Sequence, residues 1–357
     1  MTNYDQFIGT RAVAPQHAFD EAGLARYLQA HVDGFGGDLQ VEQFKGGQSN
    51  PTFLLTAGGR RYVMRRKPPG VLLPSAHAVD REFRVISALA GTDVPVAKAY
   101  ALCEDAGVIG TMFYVMGYVE GRVIWDPTLP GLAPEQRRAH YDELGRVIAA
   151  LHRVDYRAVG LSDYGKPGNY IERQVARWTK QYRAAETERI EAVEYLIQWL
   201  PARIPPGDET AIVHGDYRFD NVIFHPSEPR ILAVLDWELS TLGHPLVDFA
   251  YHCMAWRMQS AEGSRGLAGV DLRALGIPSE REYRDTYLRA TGRTRPVSDE
   301  HWTYYLVFNM FRLVSILQGI MARALQGNAS NAQALQAGRR ARPLAEQAWA
   351  LAQQMAR

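Results

Sequence analysis

Asp216 and Asn221, with four residues between them in His214-Gly215-Asp216-Tyr217-Arg218-Phe219-Asp220-Asn221, offer a carboxylate and an amide oxygen from one short segment. Fifteen positions after Asn221, at the end of the apolar run Ile231 to Leu235, comes Asp236, followed by Trp237 and Glu238. Phosphoryl transfer asks little covalent chemistry of a protein. It needs a carboxylate to orient the attacking hydroxyl and oxygen ligands to hold magnesium against the phosphates. Asp216 can supply the first, and Asn221 and Asp236 the second. A lone loop aspartate is usually just solvated, so the reading rests on the ordered set. His214 reads differently, as a core histidine bonded to backbone that stiffens the loop.

Such groups work only when rigid elements hold them. Ala211 to Val213, Val222 to Phe224 and Ile231 to Leu235 are short apolar, β-branched runs, so the segment after Val213 has both ends fixed in strands. Upstream, Leu39 to Phe44, Phe53 to Ala57 and Arg61 to Arg65 read as a meander, parted by residues 46–51 and by Gly58-Gly59. Asp20 to His31 reads as an opening helix. Asp80 to Ala90 places Phe83, Ile86 and Leu89 on one helical face, and Ala99 to Leu102 and Thr111 to Tyr118 read as two further strands. After Gly121 the pattern turns helical, starting at Pro134, a residue suited to a first helical turn. Ser279 and Ser298 mark later helix starts, and residues 332–357 read as a final helix or two. The expected fold class is α+β. Residues 1–121 form a small antiparallel-sheet lobe with one main helix, and residues 122–357 a larger, mostly helical lobe.

The spacing of Asp216 and Asn221 equals that of the protein-kinase catalytic loop. Together with Leu235 to Glu238 and Gly243 to Phe249, it resembles the aminoglycoside phosphotransferase and choline-kinase-like family, relatives of the protein kinases, over residues 20 to 330. Within that family the chain is most similar to phosphotransferase domains found alone in bacteria or fused to acyl-CoA dehydrogenase domains in animals. The resemblance implies a two-lobed protein-kinase-like fold with ATP and Mg²⁺ as cofactors. It makes Asp216 the catalytic base, Asn221 and Asp236 the metal ligands, and Asp248 a buttress of the catalytic loop.

The resemblance also assigns nucleotide-binding roles in the first lobe. Backbone amides of Gly46, Gly47, Gln48, Ser49 and Asn50 would cover the triphosphate, because glycine permits close approach. Met116 would line the adenine pocket, with backbone groups of Gly117 and Val119 available to the base. The phosphate-binding cation falls on Arg65, with Lys67 as the other candidate and helical Glu82 as its partner. Each of these features alone has a blander reading: a hairpin turn, a half-buried strand ending at a glycine, a surface glutamate beside Arg81. Two departures stand out, since Gly215 replaces the protein-kinase arginine and Arg65 the usual lysine.

Composition narrows the partners. Across 357 residues, 40 lysines and arginines balance 39 acidic residues, so the net charge of +1 provides no global field for nucleic acid or an anionic membrane. Cys103 and Cys253 lie far apart, without a zinc or redox spacing, and fit a reducing cytoplasm. The N-terminus lacks the pattern of a secretory signal, and no window approaches the roughly 18 apolar residues of a membrane span. A soluble, cytoplasmic protein is expected. The Gly165-Lys166 pair precedes a proline, and there is no Gly-x-Ser-x-Gly, His-Glu-x-x-His or Cys-x-x-Cys motif.

The expected partner is a small hydroxylated acceptor. Arg137, Arg138, Arg173, Arg177, Arg183 and Arg189 disfavour a polycation. If some of them face the acceptor, a hydroxy acid or hydroxyacyl-CoA is favoured; otherwise they are solvated helix faces. The alternatives are a pseudokinase-like nucleotide-binding interaction module, suggested by the altered lysine, and a kinase for an aminoglycoside or amino alcohol.

Overall fold

The computed structural model describes residues 8–46, 50–68, 77–259, 266–293, 296–326 and 334–356. In chain order these form strand β1 (Thr10–Arg11), helix α1 (Glu21–His31) and strands β2 (Gln40–Phe44), β3 (Thr52–Ala57) and β4 (Arg60–Arg66). Helix α2 (Val79–Leu89) and strands β5 (Ala99–Cys103) and β6 (Phe113–Gly117) follow. Helices α3 (Pro134–Arg153), α4 (Tyr170–Ala184) and α5 (Glu191–Ala202) lead to strands β7 (Ala211–Val213), β8 (Val222–Phe224), β9 (Ile231–Val234) and β10 (Thr241–Gly243). The remaining helices are α6 (Pro245–Cys253), α7 (Leu272–Leu275), α8 (Glu280–Ala290), α9 (Asp299–Leu325), α10 (Ala334–Gly338) and α11 (Ala341–Gln353).

By packing, the chain divides into two units, each assembled from several stretches. One comprises Met1–Leu129, Asp155–Tyr164 and Arg218–Ser240, the other Pro130–Val154, Gly165–Tyr217 and Thr241–Arg357. The boundary expected after Gly121 falls inside the opening stretch of the first unit.

The first unit holds an antiparallel sheet of order β1-β2-β3-β4-β6-β5. Strand periodicity sorts its side chains. In β3, Phe53, Leu55 and Ala57 are buried while Thr52, Leu54 and Thr56 are half-buried. Phe53, Leu55, Tyr62, Met64, Phe113 and Val115 share one core with Leu24 and Leu28 of α1. Asp20 caps that helix by accepting from the Gly23 N–H. Val63 and Arg65 alternate with Tyr62 and Met64 and so point to the opposite face of β4. Helix α2 packs against β5 and β6.

The same unit contains the ribbon β8–β9, with Val222 opposite Val234. Arg122 and Phe224 exchange backbone bonds of 2.8 and 2.9 Å beside this ribbon. A Cβ on Gly121 would lie 2.2 Å from the Phe224 carbonyl oxygen, so only glycine permits that crossing.

In the second unit β7 pairs with β10, Ala211 opposite Gly243. Ser279 and Glu282 form a capping box at the start of α8, and Ser298 caps α9 through the His301 N–H. Helix α9 packs against α4, α6, α10 and α11. It is the described helix whose length and composition suffice to cross a membrane, which corrects the expectation that no such window exists. About two thirds of its apolar window is buried among its neighbours, as in the core helix of a helical unit.

Candidate active site

In the first unit, period-two alternation sends Arg65 toward α2. Its Nε lies 3.2 Å from Glu82 Oε2, and its Nη2 donates to Asp236 Oδ1 at 3.2 Å. Lys67, beyond the strand end, approaches Asp80 at 3.8 Å. Glu82 also accepts from Asn50 Nδ2 at 2.9 Å and from the Tyr114 hydroxyl at 3.0 Å. Burial opposes the Arg65 charge, but Glu82, Tyr114 and Asp236 more than offset it and hold its pKa above the ordinary arginine value. Burial pushes the Glu82 carboxyl up, against the pull of Arg65, Tyr114 and Asn50. These two directions compete over one pair. We take it as ionised, because a guanidinium does not release its proton and this carboxylate accepts from Asn50 and Tyr114 while facing the Arg65 charge.

Helix α2 is held in place from outside. Arg81 stacks on Tyr164 at 4.2 Å and donates to its carbonyl at 2.6 Å. The Tyr164 hydroxyl lies 2.5 Å from Ser240 Oγ, in the turn that follows Asp236. Asp236 itself adopts φ +61°, a left-handed conformation that costs an aspartate of order 1 kcal/mol and needs such bracing. Trp237 Nε1 bonds Val234 O at 3.0 Å across it.

The register of β8–β9 places Asn221, just before β8, and Asp236, just after β9, at the same end of the ribbon. Leu235 N donates to Asn221 O at 2.8 Å there. Both side chains are hard oxygen donors of the kind Mg²⁺ takes, one or two from protein with the rest from phosphate and water. Among the described residues no three or more His, Cys, Asp or Glu gather to hold a metal by themselves.

Of the other residues assigned to the nucleotide, Gly47, Gln48 and Ser49 lie outside the described residues, and Gly46 is half-buried. The Asn50 side chain is buried, between Glu82 and His77 Nδ1, the latter at 2.9 Å from its Oδ1. Met116 is 9 % exposed, Val119 is half-buried, and the Gly117 N–H is donated to Lys98 O at 2.8 Å.

In the second unit the residues from His214 to Tyr217 leave β7. Asp248, on α6, accepts the backbone N–H of His214 at 2.7 Å and of Gly215 at 2.8 Å, with His152 Nε2 at 3.1 Å. Burial pushes its carboxyl up, but His152, His214 and these bonds bring it below the usual carboxylate range. Gly215 adopts φ +84°, which accounts for glycine at this position. The buried His214 ring accepts the Asp216 N–H at Nδ1, 3.2 Å, so it supports the loop. The Tyr217 hydroxyl donates to Leu144 O at 3.1 Å.

Sequence reasoning missed three neighbours of this loop: His152, Tyr251, whose hydroxyl donates to Asp216 Oδ1 at 2.5 Å, and Arg312, whose Nη2 donates to Gly215 O at 2.8 Å. Three of the arginines noted in the sequence have other partners. Arg138 pairs with Asp142 and Arg183 with Glu194 on exposed helix faces, while Arg173 bonds Lys166 O. Tyr182, Trp256, Trp302 and Tyr305 are core residues.

The phosphotransferase enzyme family profile matches residues 40–301. A mouse protein named acyl-CoA dehydrogenase family member 10 is 47 % identical over 342 residues, covering 95 % of this chain and 32 % of its own. Human acyl-CoA dehydrogenase family member 11 is 42 % identical, covering 94 % of this chain and 43 % of its own. The chain thus spans less than half the length of these curated relatives. A crystal structure from Ralstonia eutropha JMP134, provisionally named an aminoglycoside phosphotransferase, is 58 % identical with a TM-score of 0.87, covering 94 % of this chain and 99 % of its own. A mutant aminoglycoside phosphotransferase in ternary complex with ADP and hygromycin B, at 15 % identity and a TM-score of 0.58 over 91 % of this chain and 97 % of its own, shares the fold. The antiparallel sheet and the mostly helical second unit are those of the protein-kinase-like fold, and the chain belongs to the phosphotransferase enzyme family.

Proposed function

We propose that the chain is an ATP- and Mg²⁺-dependent kinase that moves the γ-phosphoryl group to the hydroxyl of a small acidic acceptor, a hydroxy acid or a hydroxyacyl-CoA. The observation that carries the reading is the loop between β7 and β8: Asp216 is held by its flanking backbone, and five positions on Asn221 stands at the ribbon end it shares with Asp236. Bound Mg²⁺, held by Asn221 and Asp236, would offset charge on the phosphates. Arg65 presents a planar cation suited to phosphate oxygens, kept in register by Glu82.

Asp216 orients the acceptor hydroxyl and takes its proton. The acceptor oxygen bonds to the γ-phosphorus as the bond to the β,γ-bridging oxygen breaks, and ADP departs with that electron pair. The buried cation Arg312, bonded to the carbonyl next to Asp216, supports an acidic acceptor over a polycationic one. The acyl-CoA dehydrogenase names of the relatives support the same class. The buried thiols Cys103 and Cys253 suit the cytoplasm, where we place the protein.

The test is ADP release and product mass with Mg·ATP against hydroxy acids, hydroxyacyl-CoAs, amino alcohols and aminoglycosides. Transfer to the acidic compounds is expected, falling about a thousandfold in Asp216→Asn. Retained turnover in that variant rejects the base, transfer confined to aminoglycosides rejects the acceptor class, and ATP binding without transfer favours the pseudokinase alternative.

A further inference from the structure

Within the second unit Asp216 has supports besides its own loop. Asp248 and Tyr251 are three residues apart on α6 and therefore share a face. Asp248 fixes the backbone before the base, while the Tyr251 hydroxyl grips its carboxylate at 2.5 Å. Arg312 on α9 meets Tyr251 and the Gly215 backbone that Asp248 holds. Its guanidinium carbon lies over the Tyr251 ring, 4.9 Å from the centroid, and over that of Trp178 at 5.4 Å, so the cation contacts two aromatic faces. Its Nη2 reaches the carbonyl of Gly215, the residue bonded to Asp216. One turn earlier on α9, Asn309 Nδ2 donates to Val247 O at 2.8 Å, which ties α9 to α6. Arg312 is 8 % exposed, and burying a cation this far is costly unless a fixed geometry compensates.

We propose that Tyr251 and Arg312 are positioning residues for the Asp216 carboxylate, Tyr251 by fixing its plane and Arg312 by clamping Tyr251 and Gly215 together. The inference rests on Asp216 being the base. An aspartate carboxylate turns readily about its last torsion. A base that must meet a hydroxyl within hydrogen-bond reach loses rate whenever that plane wanders. Tyr251→Phe keeps the ring that Arg312 stacks on and removes only the hydroxyl. Arg312→Lys keeps the charge and removes the planar fork that can stack and bond Gly215 at once.

The experiment measures ADP release from Mg·ATP with water as acceptor, the thermal midpoint of each variant, and the crystal structure of Tyr251→Phe. Tyr251→Phe is expected to lower kcat about 10- to 100-fold, with the KM for ATP within about twofold and an unchanged midpoint. Arg312→Lys is expected to follow it. Because Tyr251 acts through the base, Tyr251→Phe adds nothing further in an Asp216→Asn background. In the crystal, the Asp216 carboxylate leaves its present orientation. An inactive Asp216→Asn beside a Tyr251→Phe of undiminished kcat overturns the positioning role and leaves the base standing. Activity in Asp216→Asn overturns the base itself. An unmoved carboxylate in the crystal, or a kcat loss that merely tracks a fallen midpoint, also overturns the proposal.

Discussion

Arg65→Met removes a guanidinium that Glu82 and Asp236 share at 3.2 Å each. The two halves of this contact differ in weight. The Glu82 side chain is 1 % exposed and that of Arg65 11 %, so water cannot replace the arginine there. The Asp236 side chain is 34 % exposed, and solvent takes over much of the lost interaction. Stranding one partner of a buried pair costs about 3–5 kcal/mol. Asn50 and Tyr114 still donate to Glu82, which puts the expected cost at the lower end, about 3 kcal/mol. Adding Glu82→Gln removes the stranded charge yet keeps an amide oxygen for Asn50 or Tyr114, so the double variant should regain about 2 kcal/mol. The assay is the urea midpoint followed by tryptophan fluorescence, with unchanged slopes confirming a shift in stability alone. A double variant as unstable as the two single losses added together would refute the coupled ion pair.

Two further outcomes follow from the same geometry. Arg65→Ala raises the KM for ATP more than Lys67→Ala does, since Lys67 faces the partly exposed Asp80 whereas Arg65 is held in the buried cluster; titration of both with Mg·ATP checks the ranking, and the reverse order shifts the role to Lys67. His244 and His252 are each held down to about 4 by burial, against a pull from Glu209 on the first and from the Tyr217 backbone and Asp248 on the second. The unfolded chain therefore binds these protons from about pH 6.5 downward while the folded chain does not, so their contribution is whole above that pH and shrinks as pH falls toward 4, at about 1.4 kcal/mol per unit for each. His252→Asn should flatten that slope in urea titrations at stepped pH, and an unaltered slope removes His252 as its source.

The parts of the fold that were legible in the sequence are those fixed by local pattern. Runs such as Ile231 to Val234 announce strands, Ser279 and Ser298 sit where helices begin, and the Asp216-to-Asn221 spacing lies on contiguous chain. The rest is made by tertiary packing. Tyr251 reads as one more aromatic in the run Phe249-Ala250-Tyr251-His252, and only the docking of α6 against the loop turns it to Asp216. Arg312 lies in a long apolar helix 97 positions from Gly215, beyond any local signal. Strand β1 has two residues, and β10, Thr241-Leu242-Gly243, lacks the apolar β-branched run that marks the equally short β7 and β8. The arginines of 122–210 were conspicuous because helix surfaces are rich in charge, whereas the cation beside Asp216 was hidden by its burial.

The unit that carries Arg65 closes late in synthesis. Its sheet is complete by Leu129, but Asn221 and Asp236 belong to a stretch ending at Ser240, after the second unit has opened at Pro130. A ribosome adding about 5–20 residues per second holds that sheet for roughly 6–22 s before the ribbon arrives. During that interval Arg65 and Glu82 have both been synthesised while Asp236, the third member of their cluster, has not. A gene cut at either border of the inserted helices yields a sheet that has lost both oxygen donors, so recombination can move this catalyst between proteins only as an uninterrupted length of chain.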